Sequence, residues 1–308
     1  MKRLDPATTI ADPDDLSVRP LGSRFGGGRT VRAYVLLTHP LPLAIVMATT
    51  AAFAVLFAGG LPPLPVGGAL LLAMLGGQLA IGAVNELVDV ELDAATKPWK
   101  PIPSGMVSQR GAWTVVALGL GMMGVFGAAL GGAALLLLVL GTGLGLAYDL
   151  WLKRTAWSWL PYVLALPLLP VWVRTAVLGF DARLLLLFPL GMGAVAAVHL
   201  AQALPDCDGD RAAGLRNPVS RLGEKRSLTA ACRLAASAPA AAIAVMVAIP
   251  GAGVRTGIVL VAAGIALGLI VAVAALYRRR RSLGVRAAFP CLATATVLVA
   301  LGWVLGAS

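Results

Sequence analysis

Charged residues are scarce in this sequence of 308 residues, making up 13% of it, while hydrophobic residues make up 59%. Soluble domains usually carry about 25% charged residues. Too little polar surface therefore remains to cover a water-soluble globule of this size. The sequence also lacks the short alternating segments that are typical of transmembrane β-barrels. Both absences favour an all-α protein whose helices cross a lipid bilayer.

Cysteine and histidine are scarce as well, and their positions exclude two kinds of site. The three cysteines, Cys207, Cys232 and Cys291, are widely scattered, which predicts neither a disulfide framework nor a zinc site. The two histidines, His39 and His199, are far apart, and neither has a second ligand at metal-binding spacing.

Long apolar runs are abundant. They approach or exceed the roughly 20 residues that a helix needs to cross a bilayer. The predicted spans are residues 34–58, 66–88, 112–130, 133–147, 157–178, 184–203, 228–249, 259–277 and 285–305. We therefore predict about nine transmembrane helices within a domain over residues 31–308. Residues 1–30 are polar and Gly-rich, show no cleavable signal peptide, and are predicted to form a disordered cytoplasmic tail.

The loops between the predicted spans alternate in charge. Those after the odd-numbered spans are small and nearly uncharged, whereas those after the even-numbered spans carry basic residues, as in residues 278–281. By the positive-inside rule, this pattern places the N-terminus in the cytoplasm and the C-terminus outside. It accounts for most of the net charge of +11, so no nucleic acid is expected as a partner. We expect an integral protein of the plasma membrane, in contact with its lipids.

Two of the charged loops also carry carboxylates in a repeated pattern. Each has an amide and two carboxylates at spacing i, i+4, i+8, namely Asn85, Asp89 and Asp93 after the second span, and Gln202, Asp206 and Asp210 after the sixth. On a helix, this spacing places each trio along one face as a ridge. One such motif is more often a solvated helix end, but two matched ridges at membrane ends favour a function.

The ridges and the nearby basic residues indicate a site for a cation and a phosphate group. Neighbouring carboxylates repel one another unless a cation lies among them. Mg²⁺ prefers such oxygen ligands and is commonly held by one or two carboxylates together with substrate phosphates. Basic residues that can bind phosphate oxygens follow the first ridge, at Lys97 and Lys100, and the fourth span, at Lys153 and Arg154. Each of these is equally well explained alone as a topology anchor.

These motifs resemble those of the UbiA superfamily of intramembrane prenyltransferases. The matching residues are Asn85, Asp89, Asp93 and the Lys100-Pro101-Ile102-Pro103-Ser104-Gly105 stretch of the first motif, Tyr148, Lys153 and Arg154 after the fourth helix, and Asp206, Asp210, Arg211 and Gly214 of the second motif. The resemblance covers nearly the whole chain after the tail. It implies helices bundled around a central, lipid-accessible cavity, with the active site facing the cytoplasm.

The resemblance also implies an activity and roles for individual residues. The activity is Mg²⁺-dependent transfer of a prenyl group from a prenyl diphosphate to an aromatic or lipid-like acceptor of unknown identity. The implied roles are metal binding by Asn85, Asp89, Asp93, Asp206 and Asp210, diphosphate binding by Lys100, Lys153, Arg154 and Arg211, and catalysis by the four aspartates with Tyr148, whose ring would stabilise an allylic cation. Asp149 is a candidate base for the acceptor.

Several residues depart from the family pattern and leave alternatives open. They are Glu86 in place of an Asp, His39-Pro40 in place of Arg-Pro, Asn217-Pro218, and the prolines Pro161, Pro167 and Pro170 of the fifth span. These departures lie mostly toward the acceptor end, and they leave room for a UbiA-type terpene cyclase or a phosphoribosyl transferase. A cation-coupled transporter is a further alternative, although its site would be expected near the membrane midplane.

Overall fold

The computed structural model describes residues 27–248 and 254–307, and in these residues every regular element is a helix. The α-helices are α1 (Gly27–Leu37), α2 (Pro40–Ala58), α3 (Leu64–Val88), α4 (Val90–Thr96), α5 (Gln109–Ala129), α6 (Gly132–Ala147), α7 (Leu160–Leu178), α8 (Leu187–Ala203), α9 (Cys207–Ala212), α10 (Pro218–Leu222), α11 (Glu224–Ala235), α12 (Ser237–Ala248), α13 (Val254–Arg279) and α14 (Arg281–Ala307). Most of the predicted tail lies outside the described residues, while its last four residues begin α1.

Nine segments of the described chain are long and apolar enough to cross a membrane. They are Pro40–Ala58, Leu64–Val88, Gln109–Ala129, Gly132–Leu152, Leu160–Leu178, Ala182–Ala212, Glu224–Val245, Thr256–Arg279 and Arg281–Leu305. The predicted all-α bundle of about nine spans is confirmed. The fourth span is longer than predicted, because α6 continues into a π-helical turn at Tyr148–Leu152.

Glycines allow α3 and α5 to pack against each other at backbone distance. A Cβ atom added to Gly119 of α5 would lie 2.6 Å from the carbonyl oxygen of Gly76 on α3. Helices in lipid associate largely through such close packing, since the surrounding lipid is as apolar as their side chains. This contact fixes α3, whose C-terminal end carries the first predicted ridge.

A cavity of about 370 Å³ lies among α2, α3, α6, α7, α8, α12 and α14. Its walls are mostly apolar and include Phe53, Leu138 and Trp172. Asn85 and Gln202, the amides that begin the two predicted ridges, also line it. The bundle is therefore arranged around a central cavity, as predicted, and both ridges start from its wall.

Candidate active site

Both predicted ridges break at their middle carboxylate. Asp89 lies between α3 and α4 with φ −93° and ψ 3°. Asp206 is the last residue of the 3₁₀ turn Leu204–Asp206 and directly precedes α9, with φ −97° and ψ 0°. These nearly equal values fall in the bridge region of backbone conformation, where many active-site residues are found. The two halves of the chain thus present their central carboxylates from equivalent breaks between helices.

Asp89 is held by two basic residues from the segment that follows α6. Lys153 Nζ lies 2.8 Å from Asp89 Oδ2, and Arg154 Nη2 lies 3.3 Å from Asp89 Oδ1. One turn earlier on α3, Asn85 Nδ2 donates to Asp149 Oδ1 at 2.5 Å. The structure therefore brings Asn85, Asp89 and the basic pair together, although they are about 64 residues apart in sequence.

The π-helical turn positions Tyr148 beside this group. Lys153 N donates to Tyr148 O at 2.8 Å, which closes a loop one residue longer than an α-helical turn. Such turns occur frequently at functional sites. The Tyr148 ring lines the cavity and meets the Tyr162 ring edge-on at a centroid distance of 5.2 Å. An aromatic ring therefore forms part of the cavity wall next to Asp149, which also lines the cavity.

The second ridge is joined to the first by an ion pair. Lys97, which follows α4, places its Nζ 2.5 Å from Asp206 Oδ1. Asp210 Oδ2 accepts a hydrogen bond from Asn217 Nδ2 at 2.7 Å. The Lys97–Asp206 ion pair therefore brings the segment that follows the first ridge against the second ridge.

Asp93 has different partners from Asp89. Asp93 is buried, and Lys100 Nζ lies 2.6 Å from Asp93 Oδ2 and 2.6 Å from Glu86 Oε1. Burial disfavours the charged ammonium, but the two carboxylates outweigh it and raise the pKa of Lys100 above its usual value. The charges of Asp93 and Lys100 thus compensate each other. Metal binding by Asp93 and diphosphate binding by Lys100 stay predictions.

Arg211 contacts the segment that follows α9. Its Nε donates to Ser220 O at 3.0 Å, and its Nη2 would lie 2.9 Å from a Cβ atom added to Gly223. These contacts tie α9 to α10 and the turn after it. Diphosphate binding by Arg211 stays a prediction.

Sequence reasoning missed several polar partners in the site. Lys97 was recognised as basic, but nothing in the sequence pairs it with Asp206, 109 residues away. Asn217 could have been found, because Asn before Pro is a common helix start, and it does cap α10. His199 is buried 6.0 Å from the Tyr148 ring and 3.0 Å from Ser158 Oγ. Only the packing of distant helices brings that group together.

The ridges fit Mg²⁺ in their chemistry. In the described part of the chain, no three acidic, histidine or cysteine side chains converge as a ready metal cluster. Mg²⁺ needs only one or two carboxylates when phosphates and water complete its shell. Asp89 and Asp206 each face a lysine ammonium group, at 2.8 and 2.5 Å, so positive charge is already favoured at both. The candidate oxygen donors are Asn85, Asp89, Asp206 and Asp210, with Asp93 behind them.

One protein family matches most of this chain. The UbiA prenyltransferase family matches residues 45–294. Digeranylgeranylglyceryl phosphate synthase of Korarchaeum cryptofilum is 32% identical over 169 residues, covering 52% of this chain and 58% of that protein. Protoheme IX farnesyltransferase of Salinispora tropica is 31% identical over 160 residues, covering 47% of this chain and 48% of that protein. The chain thus spans about half the length of these curated relatives.

Solved structures share the fold over nearly their whole length. A UbiA homologue from Aeropyrum pernix has a TM-score of 0.67 and 23% identity, covering 86% of this chain and 98% of that one. A UbiA homologue from Archaeoglobus fulgidus, bound to GPP and Mg²⁺, has a TM-score of 0.65 and 18% identity, covering 90% and 100%. At these identities the likeness establishes the fold. With the family match, it shows that this integral membrane protein belongs to the UbiA prenyltransferase family.

Proposed function

We propose that this protein is a Mg²⁺-dependent prenyltransferase, which moves a prenyl group from an isoprenoid diphosphate to an aromatic or lipid-like acceptor within the membrane. One observation carries the proposal: the cavity is apolar along most of its walls and ends at Asn85, Tyr148 and Asp149, beside the ion-paired Asp89. A prenyl diphosphate has the same division into an apolar chain and a charged head.

The charged end of the cavity has the groups that a diphosphate needs. Lys153 and Arg154 carry positive charge beside Asp89 and would bind diphosphate oxygens through charge-assisted hydrogen bonds. Asn85, Asp89, Asp206 and Asp210 are the candidate magnesium ligands. Bound Mg²⁺ would neutralise the negative charge that grows on the departing diphosphate. Lys97 would be released from Asp206 and become available to the same phosphate oxygens.

The apolar end of the cavity would control the reactive carbon. In the proposed reaction, the bond between the first prenyl carbon and the diphosphate oxygen breaks, and a bond forms to the acceptor, which loses a proton. The ring of Tyr148 would stabilise the cationic character of that carbon. Apolar walls, including Trp172 and Leu138, would keep water from capturing it.

The relatives support this proposal. The Archaeoglobus fulgidus homologue of the same fold is bound to GPP and Mg²⁺. The curated relatives are named for geranylgeranyl and farnesyl groups. The ridges lie where α3 and α8 end, beside the basic loops, so we place the reaction at the cytoplasmic face of the plasma membrane, with the N-terminus cytoplasmic.

The test uses purified protein in lipid nanodiscs, supplied with dimethylallyl, geranyl, farnesyl and geranylgeranyl diphosphates, with and without Mg²⁺. We expect pyrophosphate release and a prenylated product only when Mg²⁺ and a membrane extract containing acceptors are both present. A cyclic hydrocarbon or alcohol formed without any acceptor would instead identify a terpene cyclase. Intact diphosphates under every condition would refute the proposed activity.

A further inference from the structure

His39 is the one residue other than glycine with a positive φ among the described residues, at φ 51° and ψ 73°. It lies at the junction of α1 and α2, directly before Pro40. The left-handed conformation is unfavourable for a residue with a Cβ atom, and it persists where the surrounding structure enforces it. Such residues cluster at functional sites. The contacts of the His39 side chain therefore indicate which function this backbone conformation supports.

Helix α3 holds the junction in place through a glycine. A Cβ atom added to Gly82 would lie 3.0 Å from Thr38 Cα and 3.2 Å from Thr38 O. The missing side chain thus lets the α1–α2 junction rest directly on α3. One turn further along α3 is Glu86, which is 1% exposed. The close approach at Gly82 therefore brings His39 against a buried carboxylate.

His39 and Glu86 form a pair in which only one ring nitrogen is engaged. His39 Nε2 is buried and lies 3.2 Å from Glu86 Oε1. Lys100 Nζ contacts the same oxygen at 2.6 Å, which holds the carboxylate in place. The His39 contact is not aligned as a hydrogen bond, and such contacts often tighten only when substrate binds. With Nε2 facing Glu86, Nδ1 is the nitrogen available to a ligand.

The remainder of the imidazole belongs to the cavity wall. The His39 side chain is 35% exposed and lines the cavity together with Asn85 and Asp149. Asp149 is tied to the diphosphate side, because it accepts from Asn85 and lies 3.8 Å from Lys153 Nζ. The other histidine of the chain, His199, is 1% exposed and is not among the lining residues. Of the two histidines, only His39 therefore has an imidazole that a ligand in the cavity can contact.

We propose that His39 is a catalytic residue on the acceptor side and that the acceptor attacks through a hydroxyl group. This inference rests on the proposed function. Nδ1 of the neutral imidazole takes the hydroxyl proton while the acceptor oxygen forms its bond to the first prenyl carbon. The bond from that carbon to the diphosphate oxygen breaks, and its electron pair leaves with the diphosphate. Glu86 is a positioning residue, which orients the ring and faces the imidazolium that forms.

Two substitutions at His39 test whether this residue is needed as a base or only because it adopts the left-handed backbone conformation. His39→Asn retains a residue type that tolerates the left-handed conformation but cannot act as a base. His39→Gly fits the same backbone and leaves space for added imidazole. Mg²⁺-dependent binding is measured by calorimetry with the unreactive S-thiolodiphosphates of geraniol and geranylgeraniol. Transfer is measured in single turnover with the corresponding labelled diphosphates and a membrane lipid extract.

We expect both variants to bind the thiolodiphosphates within about twofold of the wild type and to lose transfer by about 100-fold or more. Added imidazole should restore His39→Gly but not His39→Asn. Glu86→Gln should lower the single-turnover rate at saturating diphosphate without changing the diphosphate concentration that gives half of that rate, and Glu86→Asp should recover part of the loss. The wild-type product should contain an ether bond.

Transfer by His39→Asn at the wild-type rate would overturn this inference while leaving the proposed function intact. A loss of transfer in His39→Gly that imidazole does not restore would assign His39 to structure, and a carbon–carbon bond in the product would exclude the hydroxyl acceptor. If the wild-type protein neither binds the thiolodiphosphates nor transfers any label with Mg²⁺, the proposed function itself fails and the inference falls with it.

Discussion

Asp89 and Asp206 share one backbone conformation although 117 positions separate them, with φ values of −93° and −97° and ψ values of 3° and 0°. Each lies four residues after an amide that lines the cavity, Asn85 on α3 and Gln202 on α8. A weak internal repeat in the sequence is therefore also a repeat of local geometry. Equivalent carboxylates from two halves of a chain can face one ligand from two sides.

Removing either central carboxylate should abolish prenyl transfer without preventing insertion. We expect Asp89→Asn and Asp206→Asn each to lower the transfer rate by at least about 100-fold, because each loses a carboxylate that would hold the Mg²⁺ neutralising the departing diphosphate. Monodispersity in detergent checks insertion. The matched control is Glu91→Gln, which changes an exposed carboxylate on α4 and should retain activity. Full activity in either aspartate variant would contradict the metal assignment.

Lys97 should compete with Mg²⁺ for Asp206. Both side chains are about a third or more exposed, at 32% and 44%, so their pair contributes little to stability. Lys97→Met should therefore leave the unfolding temperature nearly unchanged. It should lower the Mg²⁺ concentration that gives half-maximal thermal stabilisation by about two- to fivefold, in the absence of diphosphate. Weaker Mg²⁺ binding in this variant would show that Lys97 supports the site instead.

The ring of Tyr148, rather than its hydroxyl group, should matter for transfer. Tyr148→Phe retains an aromatic face on the cavity, and we expect its rate to stay within about threefold of the wild type. Tyr148→Leu removes the ring, and a desolvated cation–π interaction of about 2 kcal/mol corresponds to a loss of about 30-fold. Single-turnover rates at saturating diphosphate measure both. Equal losses in the two variants would assign the role to the hydroxyl group.

Lys100 should be a major contributor to stability. Its removal would leave Glu86 and Asp93, 1% and 5% exposed at their side chains, without a compensating cation. Lys100→Met should therefore lower the free energy of unfolding by about 3–5 kcal/mol. Adding Glu86→Gln and Asp93→Asn should recover most of this loss. As a matched control, Lys225→Met changes an exposed lysine and should have little effect.

The contribution of Lys100 should also have a defined dependence on pH. Because its pKa is raised in the folded protein, the stabilisation is fully present below the unfolded lysine pKa of about 10.4. It is lost as the pH rises through the higher folded-state pKa. The difference in unfolding midpoint between the wild type and Lys100→Met should therefore stay constant from about pH 6 to 9. A difference that shrinks within this range would contradict the pairing.

The contact between α3 and α5 can be tested with two neighbouring glycines. Gly119→Ala would bring a Cβ atom to 2.6 Å from Gly76 O, so the helices must separate. Overpacking of this kind costs about 1–3 kcal/mol. Gly121→Ala on the same helix meets nothing within 4 Å and should be neutral or slightly stabilising. Thermal unfolding in one detergent compares the two, and equal midpoints would contradict the close packing.

Much of the architecture could be predicted because lipid permits few backbone arrangements. Apolar runs located all nine spans, and the i, i+4, i+8 spacing located both ridges. The first predicted span, residues 34–58, wrongly crossed the junction between α1 and α2, and the sixth, residues 184–203, ended nine residues before the observed span. The spacing could not reveal that the helices break at Asp89 and Asp206, or that Asp93 contacts Lys100. Breaks of this kind depend on tertiary packing, which local propensity does not determine.

The acceptor side was the least predictable part of the site. His39 and Glu86 stood out in the sequence only as departures from a family pattern, without a reason to connect them. Their contact depends on the left-handed backbone at His39 and on the missing side chain at Gly82. Neither feature produces a periodic pattern in the sequence, because each concerns a single residue that contacts a segment far away along the chain.

The π-helical turn makes this chain sensitive to the loss of a single residue. Each residue of an α-helix advances the chain by about 100° around the helix axis. Deleting one residue, such as Leu150, could restore regular α-helical hydrogen bonding while retaining the apolar length of the span. The deletion would nevertheless swing Lys153 and Arg154 away from Asp89. The irregular turn therefore works as an angular spacer, which lets Tyr148 face the cavity while the basic pair reaches the carboxylate.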